Sequence, residues 1–372
     1  MTRFLIVRLG ALGDVVHAIP VAAALRHAFP AARIDWLVSA KHREILDLVP
    51  VIDRRLVIND RPRSTAGHTP QRESAVHEGS LWTTIAELRR TRYDVALDLQ
   101  GLIKSALLAR ASGAARVVGF SARYAREGIA SLFYTDVYDP GRGGLYNPRE
   151  TRHVVRINLG LLIPLGIPIA THDFPIEDVD SVIGRWAAER TNGRYALLNP
   201  CGAWPNKRWP PSRFAAVAAA LHGRHGLTSI VLWGPGEEAL AQSVVDAAPL
   251  AAVLSPKTTI ADLVALARGA AVMVSGDTGP AHVAAAVGTP LVGIYGPTRS
   301  VRNGPLSALD ITVSREADCR CHHLRQCRLQ RMCLLDIEAV EVIDAVERRL
   351  GAKPAASRQT PAASPESGPE QS

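Results

Sequence analysis

The feature that most restricts the fold of this chain is a sharp strand-to-helix turn, S-G-D-T-G-P-A-H, at residues 275–282. It follows an apolar run at 270–274 and opens a helix-like segment of small residues. Such a turn leaves backbone N–H groups open at the positive end of a helix dipole. It favours phosphate, because its glycines allow close approach while Thr278 and His282 add donors. The alternative is an ordinary turn with Asp277 or Thr278 as helix N-cap.

Two series of alternating strand-like and helix-like segments run through the chain. The first extends from an apolar strand at 4–8 to a strand at 116–119, and the second extends from 195–199 to 291–295. Alternation of this kind is typical of a parallel sheet wrapped by helices. At 372 residues the chain also exceeds one typical core, so length and pattern both predict two doubly wound α/β domains. Their strand ends should face a common cleft, where open α/β sheets bind ligands.

Proline, glycine and polar residues mark the expected domain boundaries. We predict an N-terminal domain at 1–168, a linker at 169–180 and a C-terminal domain at 181–335. A final helix at 336–351 precedes a tail at 352–372, whose Pro, Ser, Ala and Glu content is typical of a disordered segment.

The composition restricts the partners of the chain. The formal net charge is +8, spread over loops and helix faces, and aromatic residues make up only 5% of the chain. No basic and aromatic alternation resembles a single-strand stacking platform, so nucleic acid is not singled out. The charge suits phosphorylated substrates or an anionic membrane surface, with a solvated basic surface as the alternative. Without a signal pattern or an apolar run of roughly 20 residues, we expect a soluble, cytoplasmic protein.

Four of the five cysteines lie close together in the sequence. They are Cys319, Cys321, Cys327 and Cys333. The spacing C-x-C-x5-C-x5-C is not a common zinc pattern, although four thiolates in a short loop could make a tetrahedral structural site. Reduced thiols without a metal are the alternative.

Asp14 is the candidate catalytic residue of the N-terminal half. The first strand runs into L-G-A-L-G-D-V-V-H at 9–17, which resembles a dinucleotide fingerprint without its full set of glycines. Asp14 stands where this turn enters a helix predicted at 15–29, and we expect it to face the cleft. There it could deprotonate an incoming hydroxyl as a general base. The alternative is a carboxylate that only stabilises the helix N-terminus.

Two further strand-to-helix loops could bind a nucleotide diphosphate. The loop at 199–210 carries two cations between two tryptophans, and one of these cations, Lys207, is a candidate phosphate ligand. The loop at 234–238 carries Glu237 and Glu238, and a carboxylate there could accept hydrogen bonds from ribose hydroxyls. A surface turn and a favourable charge at a helix N-terminus are the respective alternatives.

Six motifs follow one another along the chain. They are G-D at 13–14, D-L-Q-G-L-I-K-S at 98–105, A-R-E-G-I-A-S-L-F-Y at 125–134, W-P-N-K-R-W at 204–209, D-T-G-P-A-H at 277–282 and Y-G-P-T at 295–298. In this order they resemble the ADP-heptose:lipopolysaccharide heptosyltransferases over nearly the whole chain except the tail. The segment around Arg126 resembles heptosyltransferase I, whereas the cysteine cluster is more similar to other branches of the family.

This resemblance implies a GT-B fold, with two Rossmann-like domains that hold the acceptor in the N-terminal half and ADP-heptose in the C-terminal half. Asp14 would activate a sugar hydroxyl in the Kdo region of lipopolysaccharide. The donor contacts would come from Lys207, Glu237 or Glu238, Asp277, Thr278, Gly279 and His282, and the acceptor contacts from Gly13, Lys104 and Arg126. Catalysis would need no bound metal, and the enzyme would be peripheral at the cytoplasmic face of the inner membrane.

The motifs also predict the stereochemistry of the reaction. A single carboxylate opposite the donor implies direct displacement, and therefore inversion at the anomeric carbon, with cations stabilising the leaving diphosphate. A family member with another heptosyl acceptor or another nucleotide sugar is an alternative. An NAD-linked oxidoreductase is disfavoured, because neither half has a full G-x-G-x-x-G followed by an acidic residue about 20 positions on. A non-catalytic sugar-nucleotide-binding protein, in which Asp14 would be dispensable, is the remaining alternative.

Overall fold

The structure of the chain is a computed structural model that describes a defined part of the sequence. The described residues are 1–59, 81–141, 143–145, 147, 150–169, 172–319, 324–327 and 332–352. Cys321 and the predicted tail from residue 353 onward therefore lie outside the described residues. Within them the chain forms two parallel sheets of six strands each. This confirms the prediction of two doubly wound α/β units.

The first sheet is built by the N-terminal half. Strands β1–β6 are Arg3–Val7, Arg33–Ser39, Arg54–Ile58, Val95–Asp98, Arg116–Phe120 and Asp136–Tyr138. Helices α1–α5 are Leu12–Val16, Ile19–Ala28, Leu81–Thr91, Ile103–Ala111 and Val154–Leu159. The strand order is β3-β2-β1-β4-β5-β6 and every neighbouring pair is parallel. The chain therefore adds strands outward from β1 to β3, and then adds β4, β5 and β6 outward on the other side of β1.

The second sheet repeats this topology. Strands β7–β12 are Tyr195–Asn199, Thr228–Val231, Ala252–Leu254, Val272–Gly276, Leu291–Tyr295 and Ile311–Ser314. Helices α6–α12 are Val182–Thr191, Pro211–His225, Glu238–Ala247, Ile260–Gly269, Gly279–Ala286, Ser300–Asn303 and Ala339–Gly351. The strand order is β12-β11-β10-β7-β8-β9, again parallel throughout. In this sheet the direction in which strands are added reverses between the neighbouring strands β7 and β10.

Short 3-10 helices complete the connections. They are Ala40–His42, Glu44–Leu48, Gly128–Phe133, Gly160–Leu165, Pro205–Lys207 and Cys333–Asp336. The single helix predicted at 15–29 is wrong, because α1 ends at Val16 and α2 begins at Ile19 with Pro20 in its first turn. A proline in that position has no N–H to continue the preceding helix, so it starts a new one. Asp14 consequently lies inside α1 rather than ahead of it.

Apolar packing joins the two halves. The central strands are buried along their whole length, as expected for parallel sheets covered by helices on both faces. One cluster of buried side chains includes Ile6 and Val16 of the first half together with Tyr195 and Ala281 of the second. In the described ranges no helix is both long enough and apolar enough to cross a bilayer.

Candidate active site

The candidate active site lies where each sheet reverses the direction in which its strands are added. Open α/β sheets leave a crevice at such a point, outside the carboxyl ends of the two strands that flank it. In the first sheet the flanking loops carry Asp14, after β1, and Asp98, at the end of β4. In the second they carry Lys207, after β7, and Asp277, after β10. A pocket of about 630 Å³ is lined by residues from both halves.

The pocket brings together most of the site residues predicted from the sequence. Those on its wall are Gly13, Asp14, Arg126, Lys207, Glu237, Asp277, Thr278, Gly279 and His282. Glu238 and Lys104 are not among the lining residues, and both are exposed, on α8 and α4 respectively. Of the two candidate ribose ligands, Glu237 is therefore the one that faces the pocket.

Asp14 is held between two arginines. Its Oδ1 lies 2.8 Å from Arg8 Nη2, and its Oδ2 accepts a hydrogen bond from Arg126 Nη2 at 2.7 Å and one from Ala11 N at 3.2 Å. Burial alone would raise the pKa of Asp14, but the two guanidinium charges outweigh it and hold that pKa well below its ordinary value. In this arrangement Asp14 is ionised, and each of its carboxylate oxygens contacts one arginine.

The two arginines differ in freedom of movement. The Arg8 side chain is only 4% exposed and donates to the carbonyl oxygen of Leu99, whereas the Arg126 side chain is 32% exposed. Burial lowers the pKa of Arg8 to about 10, so it stays charged at neutral pH. Sequence reasoning did not identify Arg8, although a charged residue at the end of an apolar strand was a usable signal.

Asp98 explains why two of the motifs lie together. Its fully buried carboxylate accepts hydrogen bonds from Gln100 N at 2.9 Å, Ser105 Oγ at 2.9 Å and Tyr134 Oη at 2.8 Å. Asp98 thereby fixes the turn into α4 and the end of the segment that carries Arg126. These contacts give Asp98, Ser105 and Tyr134 a positioning role, whereas Arg126 itself lines the pocket.

Asp277 organises the donor side of the pocket. Its Oδ2 lies 2.6 Å from Lys207 Nζ and its Oδ1 lies 3.0 Å from His282 Nε2. Burial opposes ionisation of Asp277, but the hydrogen bond to His282 and the charge of Lys207 outweigh it and hold its pKa well below the ordinary value. The Lys207 ammonium also sits 4.5 Å from the centre of the Trp204 ring. Asp277 thus holds the Lys207 ammonium and the His282 imidazole close together in the pocket.

The N-terminus of α10 lines the same pocket. Thr278 is the N-cap residue, but its side chain makes no capping hydrogen bond. Its hydroxyl instead accepts from Asn199 Nδ2 at 2.9 Å and lies 3.0 Å from Ser275 Oγ. Thr278 is therefore the N-cap residue that the sequence offered as an alternative, although its side chain does not close the helix end. The helix amides remain available to an anion in the pocket.

Glu237 and Cys201 line the pocket from the loops that follow β8 and β7. Glu237 Oε1 accepts from Gly202 N at 3.2 Å and lies 3.4 Å from Arg208 Nη2, which ties the loop after β8 to the loop after β7. Burial raises the pKa of the Cys201 thiol to about 12, so it is protonated at neutral pH and is not a candidate nucleophile.

Three histidines connect the halves across the pocket. The ring of His17 lies 4.3 Å from that of His282 and 5.5 Å from that of His153, and His153 Nε2 lies 2.7 Å from the carbonyl oxygen of Gly304. Burial lowers the pKa of His17 well below its ordinary value and that of His153 to about 4, so both are neutral at pH 7. Sequence reasoning missed both.

Gly13 is the close-approach residue in this junction. A Cβ atom on Gly13 would lie 2.3 Å from His282 Cδ2, so a larger residue would push α1 away from α10. The structure thus places Gly13 against His282, and the contact of Gly13 with the acceptor stays a prediction. His17 lies one helical turn beyond Gly13, and this i, i+4 spacing was the available signal for it.

The zinc hypothesis receives no support from the described cysteines. Among the described residues, no group of three or more His, Cys, Asp or Glu side chains could hold a metal ion. Cys321 lies outside those residues.

Two facing Rossmann-like units with one site between their reversal points define the GT-B architecture of glycosyltransferases. The chain belongs to glycosyltransferase family 9 (heptosyltransferase), whose family model matches residues 81–333. The resemblance seen in the motifs is therefore confirmed at the level of the family, and the protein is a glycosyltransferase.

Individual relatives agree with this assignment. The chain is 26% identical over 318 residues to lipopolysaccharide heptosyltransferase 1 of Pseudomonas aeruginosa, which covers 85% of each protein. It is also 26% identical over 351 residues to an Escherichia coli lipopolysaccharide heptosyltransferase 3, covering 91% of this chain and 96% of that one. The structure of E. coli heptosyltransferase WaaC with ADP shares the fold, with a TM-score of 0.67 and 22% identity over 94% of this chain and all of that one.

Proposed function

We propose that the protein transfers a heptose from ADP-heptose to the Kdo-bearing inner core of lipopolysaccharide, with inversion at the anomeric carbon. One observation carries this proposal: Asp14 and the Lys207–Asp277–His282 cluster line the same pocket from opposite domains. Relatives named lipopolysaccharide heptosyltransferases and a related fold that binds ADP support the choice of substrates. The proposal includes action at the cytoplasmic face of the inner membrane.

The donor diphosphate fits the cationic side of the pocket. We assign its phosphates to Lys207, to the amides at Thr278 and Gly279 and to His282, because all of these residues line the same pocket. Glu237 lines the same pocket from the loop after β8, and its carboxylate can accept from the ribose hydroxyls. No metal ion is part of this proposal, since Lys207 and the α10 N-terminus both supply positive charge.

The transfer itself is a single displacement. The acceptor oxygen forms a bond to the anomeric carbon while the bond between that carbon and the β-phosphate oxygen breaks. The electron pair goes to ADP, where Lys207 and the α10 amides stabilise the growing charge. The hydroxyl proton goes to Asp14, which lines the pocket from the N-terminal domain. Attack from the side opposite the leaving group inverts the configuration.

Asp14 must first lose one of its partners. With both oxygens engaged by arginines, its pKa is too low for efficient proton transfer. Arg8 is buried and cannot leave, so Arg126 is the partner that can turn away. An anionic acceptor gives Arg126 a competing carboxylate or phosphate, which releases Asp14 Oδ2 beside the incoming hydroxyl. Acceptor binding and base activation are then one event.

This coupling predicts a difference between two pH profiles. The acidic limb of kcat/KM reports Asp14 in the free enzyme, where both cations depress its pKa, so activity should persist far into the acidic range. The acidic limb of kcat reports the complex, and it should lie at higher pH because Arg126 has moved. In Arg126→Gln the kcat/KM limb should also move to higher pH. Coinciding limbs in the unmodified enzyme would contradict the coupling, and Arg190→Gln, at an exposed position on α6 of the C-terminal domain, serves as control.

The overall proposal is tested by direct transfer. The purified protein is incubated with ADP-heptose and a Kdo-lipid A acceptor that lacks heptose, and the product is examined by mass spectrometry and by NMR of the new anomeric centre. We expect one added heptose with inverted configuration, also when EDTA is present, and no transfer from UDP- or GDP-linked sugars. Transfer only to a core that already carries heptose would favour a heptosyltransferase 3-like acceptor. A retained configuration would refute direct displacement.

A further inference from the structure

One surface of the N-terminal domain combines exposed apolar and cationic side chains. Helices α3 and α4 cover the same face of the first sheet, through Leu88 and Leu108, and α4 packs against the 3-10 helix at Gly128–Phe133. Several large apolar side chains of this layer are exposed to solvent. Leu132 is 81% exposed, Ile129 is 61% exposed and Leu107 is 47% exposed.

The cations of this layer lie among these apolar side chains. On α4 the exposed stripe runs Lys104, Leu107 and Arg110, at the i, i+3 spacing that places side chains on one face of a helix. Arg123 is exposed in the loop that leads to the 3-10 helix. The acidic residue of that loop, Glu127, uses its carboxylate to accept from Ile103 N at 2.7 Å. We call Lys104, Leu107, Arg123, Ile129 and Leu132 the rim patch.

The rim patch adjoins the acceptor side of the pocket. Arg126 lies between Arg123 and Ile129 in sequence and reaches Asp14 with its guanidinium. Lys104 stands in the first turn of α4, directly after the loop that Asp98 organises. A surface that binds the rim patch is therefore a short distance from the hydroxyl that Asp14 would activate.

We infer that the rim patch docks the enzyme on a bilayer that contains anionic lipid. Exposed apolar side chains among cations match the chemistry of a membrane interface, where apolar groups enter the headgroup region and cations meet anionic headgroups. The choice of a bilayer over a protein partner rests on the proposed function, because a lipid-linked acceptor brings the membrane to this edge of the pocket. The indole of Trp82, 77% exposed on the neighbouring α3, belongs to the residue type that favours such interfaces.

The test measures vesicle binding by the full chain. Flotation with vesicles of phosphatidylcholine alone is compared with vesicles that also contain phosphatidylglycerol, for the unmodified protein and for Ile129→Glu/Leu132→Glu. We expect binding to the anionic vesicles only, and a loss of about tenfold or more in the double variant, since two apolar side chains become anions. Leu250→Glu is the matched control, because Leu250 is 88% exposed but belongs to the C-terminal domain, and it should bind as the unmodified protein does.

A second readout separates this surface from the proposed reaction. The double variant should keep its affinity for ADP and its transfer to a delipidated core oligosaccharide, while transfer to acceptor embedded in vesicles falls about tenfold. Vesicle binding equal to that of the unmodified protein, or an equal loss in Leu250→Glu, would overturn the inference. So would a dimer of the unmodified protein that the double variant disrupts without any change in vesicle binding. If instead no acceptor is glycosylated by the unmodified protein, the proposed function fails while vesicle binding still decides the surface.

Discussion

Replacing Asp14 by Asn is expected to lower kcat for heptose transfer by about 10²–10⁴-fold, the contribution typical of a positioned general base. The amide keeps the size of the side chain, but its one oxygen can accept from only one of the two arginines, and it cannot take the hydroxyl proton at neutral pH. Affinity for ADP should change little, because Asp14 belongs to the N-terminal domain and the proposed diphosphate ligands, such as Lys207, belong to the C-terminal domain. Initial rates with ADP-heptose and calorimetry with ADP measure the two quantities.

The control for this prediction is a carboxylate far from the pocket. Glu189 is exposed on α6, and Glu189→Gln should leave both kcat and ADP affinity unchanged. If Asp14→Asn keeps more than about a tenth of the kcat of the unmodified enzyme, proton transfer to Asp14 is not part of the rate-determining step. A non-catalytic sugar-nucleotide-binding protein would show equal ADP affinity and no turnover in either form.

The parts of the site that could be predicted from sequence are local. Asp14 and the turn at Asp277, Thr278 and Gly279 each follow an apolar strand and enter a helix, so a dozen consecutive residues contain the whole signal. Because both sheets are parallel, those turns had to lie at the carboxyl edges, and the fold then brings them together. The same reasoning selected Lys207.

The parts that could not be predicted depend on distant pairs. Arg126 reaches Asp14 across 112 positions of sequence, and Tyr134 reaches Asp98 across 36. No periodicity in a single sequence encodes such a contact. Glu237 and Glu238 illustrate a finer limit, because adjacent residues at a helix start point in different directions that depend on where the helix begins. Strands β6 and β9 have three residues each, too few to show an alternating pattern.

The structure also changes the meaning of the acidic motif residue on the donor side. Asp277 was predicted as a donor ligand, yet its carboxylate is fully engaged by Lys207 and His282. A carboxylate would repel the diphosphate if it met it directly, whereas its partners would attract it. We therefore expect Asp277 to act through Lys207 and His282, and Lys207 becomes the residue whose loss reports on the leaving group.

Lys207→Ala is expected to lower kcat/KM for ADP-heptose by about 10²–10³-fold, the loss typical when one preorganised donor to a developing anion is removed. The Lys207 side chain is 15% exposed and its ammonium contacts Asp277 and the Trp204 ring, so its position is set before the donor binds. The effect should appear in kcat as well as in KM, since charge on the β-phosphate grows as the bond to the sugar breaks. Steady-state kinetics with varied ADP-heptose measure both. Lys41→Ala, an exposed lysine on the N-terminal half that is not among the lining residues, is the control.

A second variant separates the loss of the Lys207 cation from the effect of the Asp277 carboxylate that it leaves without this partner. Without Lys207, the buried Asp277 carboxylate keeps His282 as its ion-pair partner among the described residues and could repel the diphosphate itself. The double variant Lys207→Ala/Asp277→Asn removes that charge. If Lys207 stabilises the leaving group, the double variant stays about as slow as Lys207→Ala, because the cation is still missing. If the double variant instead recovers most of the activity, Lys207 only neutralises Asp277, and stabilisation of the departing ADP must come from the α10 amides and His282.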